Sequence, residues 1–232
     1  MTEELQFIPF TSPADRGWAE AMEIYRRSFP YKEQRSEEDH VRALRDPHFR
    51  ADGIWCGDEF VGILYHWQGD GWYYVEHLAV SPALRGRNMG SKALAAFCEG
   101  RRVILEIDPP ADEISIRRLH FYRRLGFVEN PHEYIHPSFR RPFEQHRLVL
   151  MSYPSPLTDD EARRFADFVR ETVLRYTEHE APQLPRLPSA EPDLPGNGNR
   201  MRSEPVPAAT TRKAGGTSGG SARFAFPDRD RS

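Results

Sequence analysis

Cysteine is scarce in the 232-residue sequence, which contains only Cys56 and Cys98. Both lie in apolar surroundings without the spacing of metal ligands, so neither a disulfide framework nor a cysteine-bound metal is expected. We interpret them as reduced thiols in a protein core. The nine histidines are scattered along the chain, and we expect no metal cofactor.

An excess of charge of one sign is also missing, since the formal net charge is −3 at pH 7. The composition therefore indicates neither a nucleic-acid partner nor an anionic membrane surface. No apolar run approaches the roughly 20 residues needed to span a membrane. The start, MTEELQF, is acidic and unlike the basic-then-apolar pattern of a signal peptide. The sequence predicts a soluble, cytoplasmic protein.

Helix and strand patterns alternate along the first 180 residues. A helix starting at Ser12-Pro13 and a short helix from Ser36 precede three strand-like runs at 53–56, 60–67 and 72–80. Further helices are predicted at 90–99, 112–125 and after Thr158, with strands between them. The predicted order of elements is ααβββαβαββα, which indicates a mixed sheet with helices on its faces.

The last fifth of the chain has a different composition. From about Pro182 it is rich in proline, glycine and serine and has few large apolar residues, so it cannot bury enough surface to offset the entropy of ordering. We predict a folded domain at 1–180 and a disordered tail at 181–232. Because the tail's basic residues alternate with acidic ones and aromatics are few, it does not resemble a nucleic-acid arm.

The stretch VSPALRGRNMGSKAL joins a predicted strand that ends at Val80 to a predicted helix that starts at Gly90. A glycine-containing turn before a helix presents unpaired backbone N–H groups and the positive end of the helix dipole, which together favour a phosphate. Arg85 and Arg87 add possible charge-assisted hydrogen bonds. The pattern is neither a Walker A loop nor a GxGxxG turn, and a purely structural turn stays open as an alternative.

The later motif FYRRLGF, at 121–127, favours a phosphate-binding role for this turn over a purely structural one. Together the two motifs resemble the GNAT superfamily of acyl-CoA-dependent N-acetyltransferases, over about residues 8–153. The segment EISIRRLHFYRRLGF, with LMSYP after it, is similar to a bacterial GNAT subgroup of unassigned substrate. This resemblance implies an α/β (α+β) fold with a mixed, mostly antiparallel central sheet. Helices would flank the sheet, which would splay between its fourth and fifth strands.

The resemblance also implies acetyl-CoA as co-substrate and a set of residues that bind it. The strand end would contact pantetheine through its main chain, and the turn and helix start would hold the pyrophosphate. Ser115 stands where many members carry asparagine, and Asn88 replaces a family glycine; asparagine tolerates a positive φ better than most residues. The implied binding residues are Leu78, Ala79, Val80, Arg85, Gly86, Arg87, Asn88, Met89, Gly90, Ser91 and Ser115.

Two side chains are candidates for the chemistry. Glu76 lies on the strand from which the family often draws its general base, and strict alternation would place it on the same face as Leu78 and Val80. The alternative for Glu76 is a solvated or ion-paired strand carboxylate, and the neighbouring His77 is interpreted as structural. Tyr122 takes the position of the family's tyrosine that protonates the departing thiolate; its alternative is a core aromatic residue.

The predicted function is acetyl transfer to a primary amine of a small molecule or peptide, by direct attack in a ternary complex. The acceptor is expected between residues 31–36 and the loop 130–146, in a monomer or homodimer, with no nucleic acid or membrane as partner. The alternative is a non-catalytic acyl-CoA-binding module that acts as a sensor or interaction partner.

Overall fold

The computed structural model describes residues 4–84 and 86–179 and the backbone of Phe224–Ala225. Most of the predicted tail, and Arg85 in the turn, lie outside the described residues. In chain order the elements are β1 (Leu5–Pro9), α1 (Trp18–Ser28), α2 (Glu37–Ala43), β2 (Phe49–Cys56), β3 (Glu59–Gln68), β4 (Tyr73–Val80), α3 (Met89–Cys98), β5 (Val103–Ile107), α4 (Glu113–Arg124), β6 (Val128–Glu129), β7 (Tyr134–Pro137), β8 (Gln145–Tyr153), α5 (Asp159–Glu171) and β9 (Phe224–Ala225).

The strands form a mixed, mostly antiparallel sheet in the order β1-β2-β3-β4-β5-β8-β6. The pairs from β1 to β4 are antiparallel, as are those of β8 with β5, β6 and β7. The pair β4–β5 is parallel, because α3 carries the chain from one strand to the next. The predicted fold class, a mostly antiparallel sheet flanked by helices, is confirmed.

Each face of the sheet is covered by its own apolar cluster. On one face α1, α2 and α5 pack against the strands, with Tyr25, Trp67 and Phe165 fully buried. On the other face α3 and α4 contribute Leu94 and Leu119 to a second cluster. With both faces covered, the central strands read as continuous apolar runs.

The strands β4 and β5 separate soon after they start. Their pairing is confined to Tyr73 with Val103 and Tyr74 with Ile104, whereas β4 stays paired with β3 up to Val80. Beyond Tyr74, the edge of β4 that faces β5 is therefore released, and the splay between the fourth and fifth strands is confirmed. We call this gap the β4–β5 opening.

A β-bulge at Glu76 changes which side chains share a face. His66 pairs with Val75 and Tyr65 with His77, so that Glu76 is the extra residue on β4. Glu76 and His77 both contact residues on the α1 side, whereas Leu78 belongs to the cluster under α3 and α4. The expectation that Glu76 shares a face with Leu78 was wrong, because alternation by two does not continue through a bulge.

The start of the chain also differs from the prediction. The strand β1 was not predicted, and α1 begins at Trp18 rather than near Ser12. The Asp15 carboxylate accepts hydrogen bonds from the backbone N–H groups of Thr11 and Ser12, which holds the intervening residues in a turn. Gly17, at φ +87°, then leads into α1.

Candidate functional site

The N-terminus of α3 lies beside the end of β4 and has no side-chain cap. Ser36, Asp112 and Thr158 cap α2, α4 and α5, but the side chain of Asn88 makes no capping hydrogen bond to α3. The first-turn N–H groups of a helix have no carbonyl partner within the helix. Those of α3 are therefore available to an external acceptor such as a phosphate.

The turn before α3 has the backbone shape that its sequence predicts. Gly86 has φ +83°, and Asn88, at φ +59°, is the one non-glycine residue with positive φ in the described part of the chain. Asparagine thus takes the conformation of the glycine that the family motif carries there. A Cβ built on Gly86 has no neighbour within 4 Å, so the turn has open space on that side.

Arg87 lies exposed on this turn, 3.6 Å from the Oε2 atom of Glu59. Both side chains are more than half exposed, so the pair contributes little to stability and its arginine can turn to an incoming anion. In the described part of the turn, open backbone N–H groups thus lie beside the exposed positive charge of Arg87.

Glu76, the predicted base, is fully buried in a two-pronged ion pair. The two terminal nitrogens of Arg35 donate to its two carboxylate oxygens over 2.5 and 2.7 Å. Burial raises the pKa of Glu76, but the charge of Arg35 and the hydrogen bonds from His77 and Arg35 outweigh it and hold this pKa well below its usual range. A carboxylate in this setting is a poor proton acceptor, and the geometry corresponds to the ion-paired alternative.

The partner Arg35 sits in an aromatic enclosure. Its guanidinium carbon lies 4.8 Å from the ring centre of Phe139, 5.3 Å from that of Trp67 and 5.4 Å from that of Phe49. The side chain is 0% exposed. The buried pair therefore links the segment after α1 to the bulge of β4, and it holds β4 at the point where β5 leaves it.

His40 is buried against the same group of residues. Its ring lies 5.2 Å from that of Tyr25 and 4.9 Å from that of Tyr65, centre to centre. Burial, together with the nearby charges of Arg35 and His77, lowers the pKa of His40 from its ordinary value of 6.5 to about 3. His40 is therefore neutral in the folded protein at pH 7.

This histidine predicts a stability loss in mild acid. Between pH 6.5 and about 3 the unfolded chain takes up a proton on His40 that the folded chain does not, so stability falls as the pH falls. The expected loss is about 1.6 kcal/mol between pH 6.5 and pH 5, because the slope rises from half of 1.36 kcal/mol per pH unit at pH 6.5 to nearly all of it at pH 5. Urea unfolding of the wild type and of His40→Phe across this range measures it. Equal slopes in the two proteins would contradict the assignment.

Glu106, which the sequence analysis did not single out, lies on β5 beside the opening. The hydroxyl of Tyr74 donates to its Oε2 atom over 2.9 Å, and the carboxylate is 3% exposed. Tyr74 is also the last β4 residue paired with β5. The carboxylate therefore lies at the base of the β4–β5 opening. A lone acidic residue inside the apolar run VILEI was the signal that pointed to it.

Tyr122 lies on α4, on the opposite face of the sheet from Tyr74. Its ring packs 5.3 Å from that of Phe121 and 5.6 Å from that of Phe127. Burial raises the pKa of Tyr122 above its ordinary value, and the charge of Arg118 offsets only part of that rise. The phenol is therefore protonated at neutral pH.

Ser115 takes part in capping the N-terminus of α4. Its hydroxyl oxygen accepts hydrogen bonds from the backbone N–H groups of Ala111 and Asp112, and its own N–H donates to the Asp112 carboxylate. This reciprocal arrangement is a capping box with Asp112 as N-cap. The contacts of Ser115 account for a structural role in α4, and its predicted contact with pantetheine stays a prediction.

The two segments expected to form the acceptor pocket contact each other directly. The N–H of Phe139 donates to the carbonyl of Lys32 over 2.6 Å, and Nε of Arg140 donates to that of Gln34 over 2.9 Å. Lys32 also pairs with Glu144. The structure thus brings residues 31–36 and the loop together, and part of that loop is the strand β7.

The expectation that the histidines form no HExxH pair was wrong, because the run HEYIH at 132–136 has the spacing of that helical zinc motif. The run lies at and before β7, and residues four apart in a strand are about 13 Å apart. His132 pairs with Asp159, and His136 contacts the carbonyl of Pro137. The described residues contain no cluster of three or more side chains that would hold a metal.

Comparison with known proteins finds one family model and several solved structures that are similar to this chain. The acetyltransferase (GNAT) family model matches residues 18–127. A GNAT-family acetyltransferase structure from Bacteroides thetaiotaomicron matches with a TM-score of 0.69 and 28% identity, covering 73% of this chain and 98% of its own. A Bacillus subtilis acetyltransferase solved with CoA matches with a TM-score of 0.45 and 15% identity, covering 64% of this chain and 97% of its own. The Escherichia coli ribosomal-protein-S18-alanine N-acetyltransferase matches with a TM-score of 0.46 and 14% identity, covering 68% of this chain and 97% of its own.

A search of curated proteins finds no significant match. The splayed sheet and the family match support an acyltransferase fold. The family match over residues 18–127 and the similarity to the Bacteroides thetaiotaomicron structure support an assignment to the GNAT superfamily, which the motifs resemble. Among the described residues, no helix has the length and apolar character that crossing a membrane requires.

Proposed function

We propose that the protein is an acetyl-CoA-dependent N-acetyltransferase that acts on a primary amine of a small molecule or peptide. The observation that carries this proposal is the juxtaposition of two features. The edge of β4 is released from β5 after Tyr74, and directly beyond the end of β4 lies the helix α3, whose N-terminus has no side-chain cap. An elongated ligand with amides at one end and phosphates at the other fits this arrangement.

In this proposal the pantetheine arm pairs with the edge of β4 that β5 leaves after Tyr74. Main-chain groups of Leu78 and Val80 bond its amides, as they would bond a neighbouring strand. The pyrophosphate lies on the N–H groups of the turn and the first turn of α3, with Arg87 beside it. The binding residues are Leu78, Ala79 and Val80, then Gly86, Arg87, Asn88, Met89, Gly90 and Ser91. Arg85, outside the described residues, keeps its proposed role.

The reaction is a direct transfer in a ternary complex. The neutral amine nitrogen attacks the thioester carbonyl carbon, a C–N bond forms and the C–S bond breaks. The amine proton passes to a base, and the departing thiolate takes a proton from Tyr122. A backbone N–H at the opening stabilises the developing oxyanion. Removing the proton from an amine with a lysine-like pKa costs roughly 4.6 kcal/mol at pH 7, so a general base is expected to raise the rate of acetyl transfer.

We assign the base to Glu106 rather than to Glu76. Glu76 is bound on both carboxylate oxygens by a buried arginine, and its pKa is depressed. Glu106 lies at the opening, on the face of Tyr74, and Tyr122 lies on the other face. Glu106 and Tyr122 thus lie on opposite faces of the sheet, and the proposal places the amine on the Glu106 side of the thioester and the departing thiolate on the Tyr122 side. Glu76 acts by positioning the β4 bulge.

Binding of acetyl-CoA is tested by thermal unfolding. At 100 times Kd the ligand stabilises the folded state by about 2.7 kcal/mol, which raises Tm by roughly 5–10 °C for a domain of this size. Arg87→Glu places a negative charge against the pyrophosphate and removes most of the shift, while the Tm without ligand stays unchanged. Arg163→Glu on α5, an equally exposed site, is the matched control and keeps the full shift. An unchanged shift in Arg87→Glu would reject the phosphate assignment.

A second candidate is an acyl-CoA-binding module without turnover. It is favoured by one observation, the occupation of the Glu76 carboxylate by Arg35, which removes the base that the sequence indicated. Both candidates bind acetyl-CoA, and only the enzyme releases CoA in the presence of an amine.

A further inference from the structure

The edge of β4 that β5 leaves after Tyr74 is paired with a second segment of the same chain. At Leu78 and Ala79, one edge of β4 pairs with Leu64 and Ile63 of β3. The short strand β9 pairs in parallel with the same two residues, Leu78 with Phe224 and Ala79 with Ala225. A strand has only two edges, so β9 lies on the edge that β5 leaves open.

The sequence around β9 suits this position. It reads ARFAFP at 222–227, with aromatic residues at alternate positions and a proline directly after them. Phe224 and Phe226 are the only aromatic residues of the sequence after Tyr176. Aromatic residues favour strands, and a proline ends the hydrogen-bonding ladder. Within a tail otherwise poor in strand-forming residues, the segment that pairs with β4 is the one whose composition predicts pairing.

We propose that the C-terminal strand β9, Phe224–Ala225, competes with acyl-CoA for the edge of β4. The proposal rests on the proposed function, which places pantetheine on the same main-chain groups of Leu78 and its neighbours. An N–H or C=O group that bonds the backbone of β9 is not available to a pantetheine amide. Seating of the segment and binding of acyl-CoA therefore exclude each other, and the protein inhibits itself until acyl-CoA displaces its own C-terminus.

Tethering makes this competition effective. Because the segment belongs to the same chain, its pairing with β4 is intramolecular and does not depend on protein concentration; effective concentrations of tethered segments are of the order of millimolar. The measured affinity for acyl-CoA is then reduced by the fraction of molecules in which the edge is free. If the segment is seated nine-tenths of the time, its release tightens acyl-CoA binding about tenfold.

The test compares CoA affinities by isothermal titration calorimetry in the full-length protein and two variants. Ala225→Pro removes a backbone N–H and prevents regular pairing at β9. Ala209→Pro makes the same substitution outside the segment and is the matched control. We expect CoA to bind Ala225→Pro about tenfold more tightly than the wild type, and to bind Ala209→Pro as it binds the wild type. A peptide copying residues 220–232, added to Ala225→Pro, should weaken CoA binding again.

The other outcomes separate this inference from the proposed function. Equal CoA affinity in the wild type and Ala225→Pro would overturn competition by the segment and leave the proposed function intact. Weaker binding in Ala225→Pro would also overturn it, since the segment would then be helping to hold CoA. Absence of CoA binding in all three proteins would overturn the proposed function and, with it, the competition.

Discussion

Glu106→Gln is expected to lower kcat/KM for the amine by about 10²–10⁴-fold, the usual contribution of a general base. Glutamine still accepts the hydrogen bond of Tyr74 but cannot take a proton from the attacking amine. The deficit should shrink as the pH approaches the pKa of the amine, because the neutral amine then needs no base. Rates measured from pH 6.5 to 10 with one accepted amine give this profile.

One control variant and one binding measurement show whether the loss of activity is specific to the Glu106 carboxylate. Glu129→Gln changes the same group on the strand β6, which β8 separates from β5 and where the glutamate pairs with Arg123, and should leave kcat/KM unchanged. Glu106→Gln should bind acetyl-CoA as the wild type does, which shows that its site is intact. Full activity of Glu106→Gln at neutral pH would reject Glu106 as the base.

Glu76→Gln is expected to destabilise the fold by about 3–5 kcal/mol, because it leaves the Arg35 cation buried without a counter-charge. The effect should be visible as a lower urea midpoint at an unchanged m-value. If Glu76 were instead the catalytic base and had no role in stability, the same substitution would abolish turnover and leave the urea midpoint unchanged. Stability and turnover therefore separate the two roles.

The ion pair also predicts strong coupling between its members. Arg35→Met combined with Glu76→Gln removes both charges, so the double variant should be more stable than Glu76→Gln alone. Glu38→Gln, on the exposed face of α2, is the matched control and should change stability by no more than about 0.5 kcal/mol. A double variant as unstable as the sum of the single variants would contradict the buried-pair account.

The sequence predicted the fold class and the α3 turn well, because both depend on local signals. The capping residues of α4 and α5 and the positive φ of Asn88 follow from the preferences of single side chains. The run of apolar residues in β4 likewise predicted a strand. These features need no knowledge of which segments meet in space.

The catalytic assignment was harder, because it depends on a bulge and on a distant partner. One extra residue at Glu76 turns its side chain to the α1 side, and alternation in the sequence does not reveal that residue. Its partner Arg35 lies 41 residues away, on a connection that reads as polar and exposed. A charged residue in such a segment is normally solvated, and only the tertiary structure shows that it is buried.

The most direct test of the account is release of CoA from acetyl-CoA, followed with a thiol reagent across a panel of small-molecule and peptide amines. The account predicts release that depends on one class of primary amine, with an acetylated amine identified by mass spectrometry in amounts equal to the CoA released. Binding of acetyl-CoA without amine-dependent release of CoA for any member of the panel would contradict it.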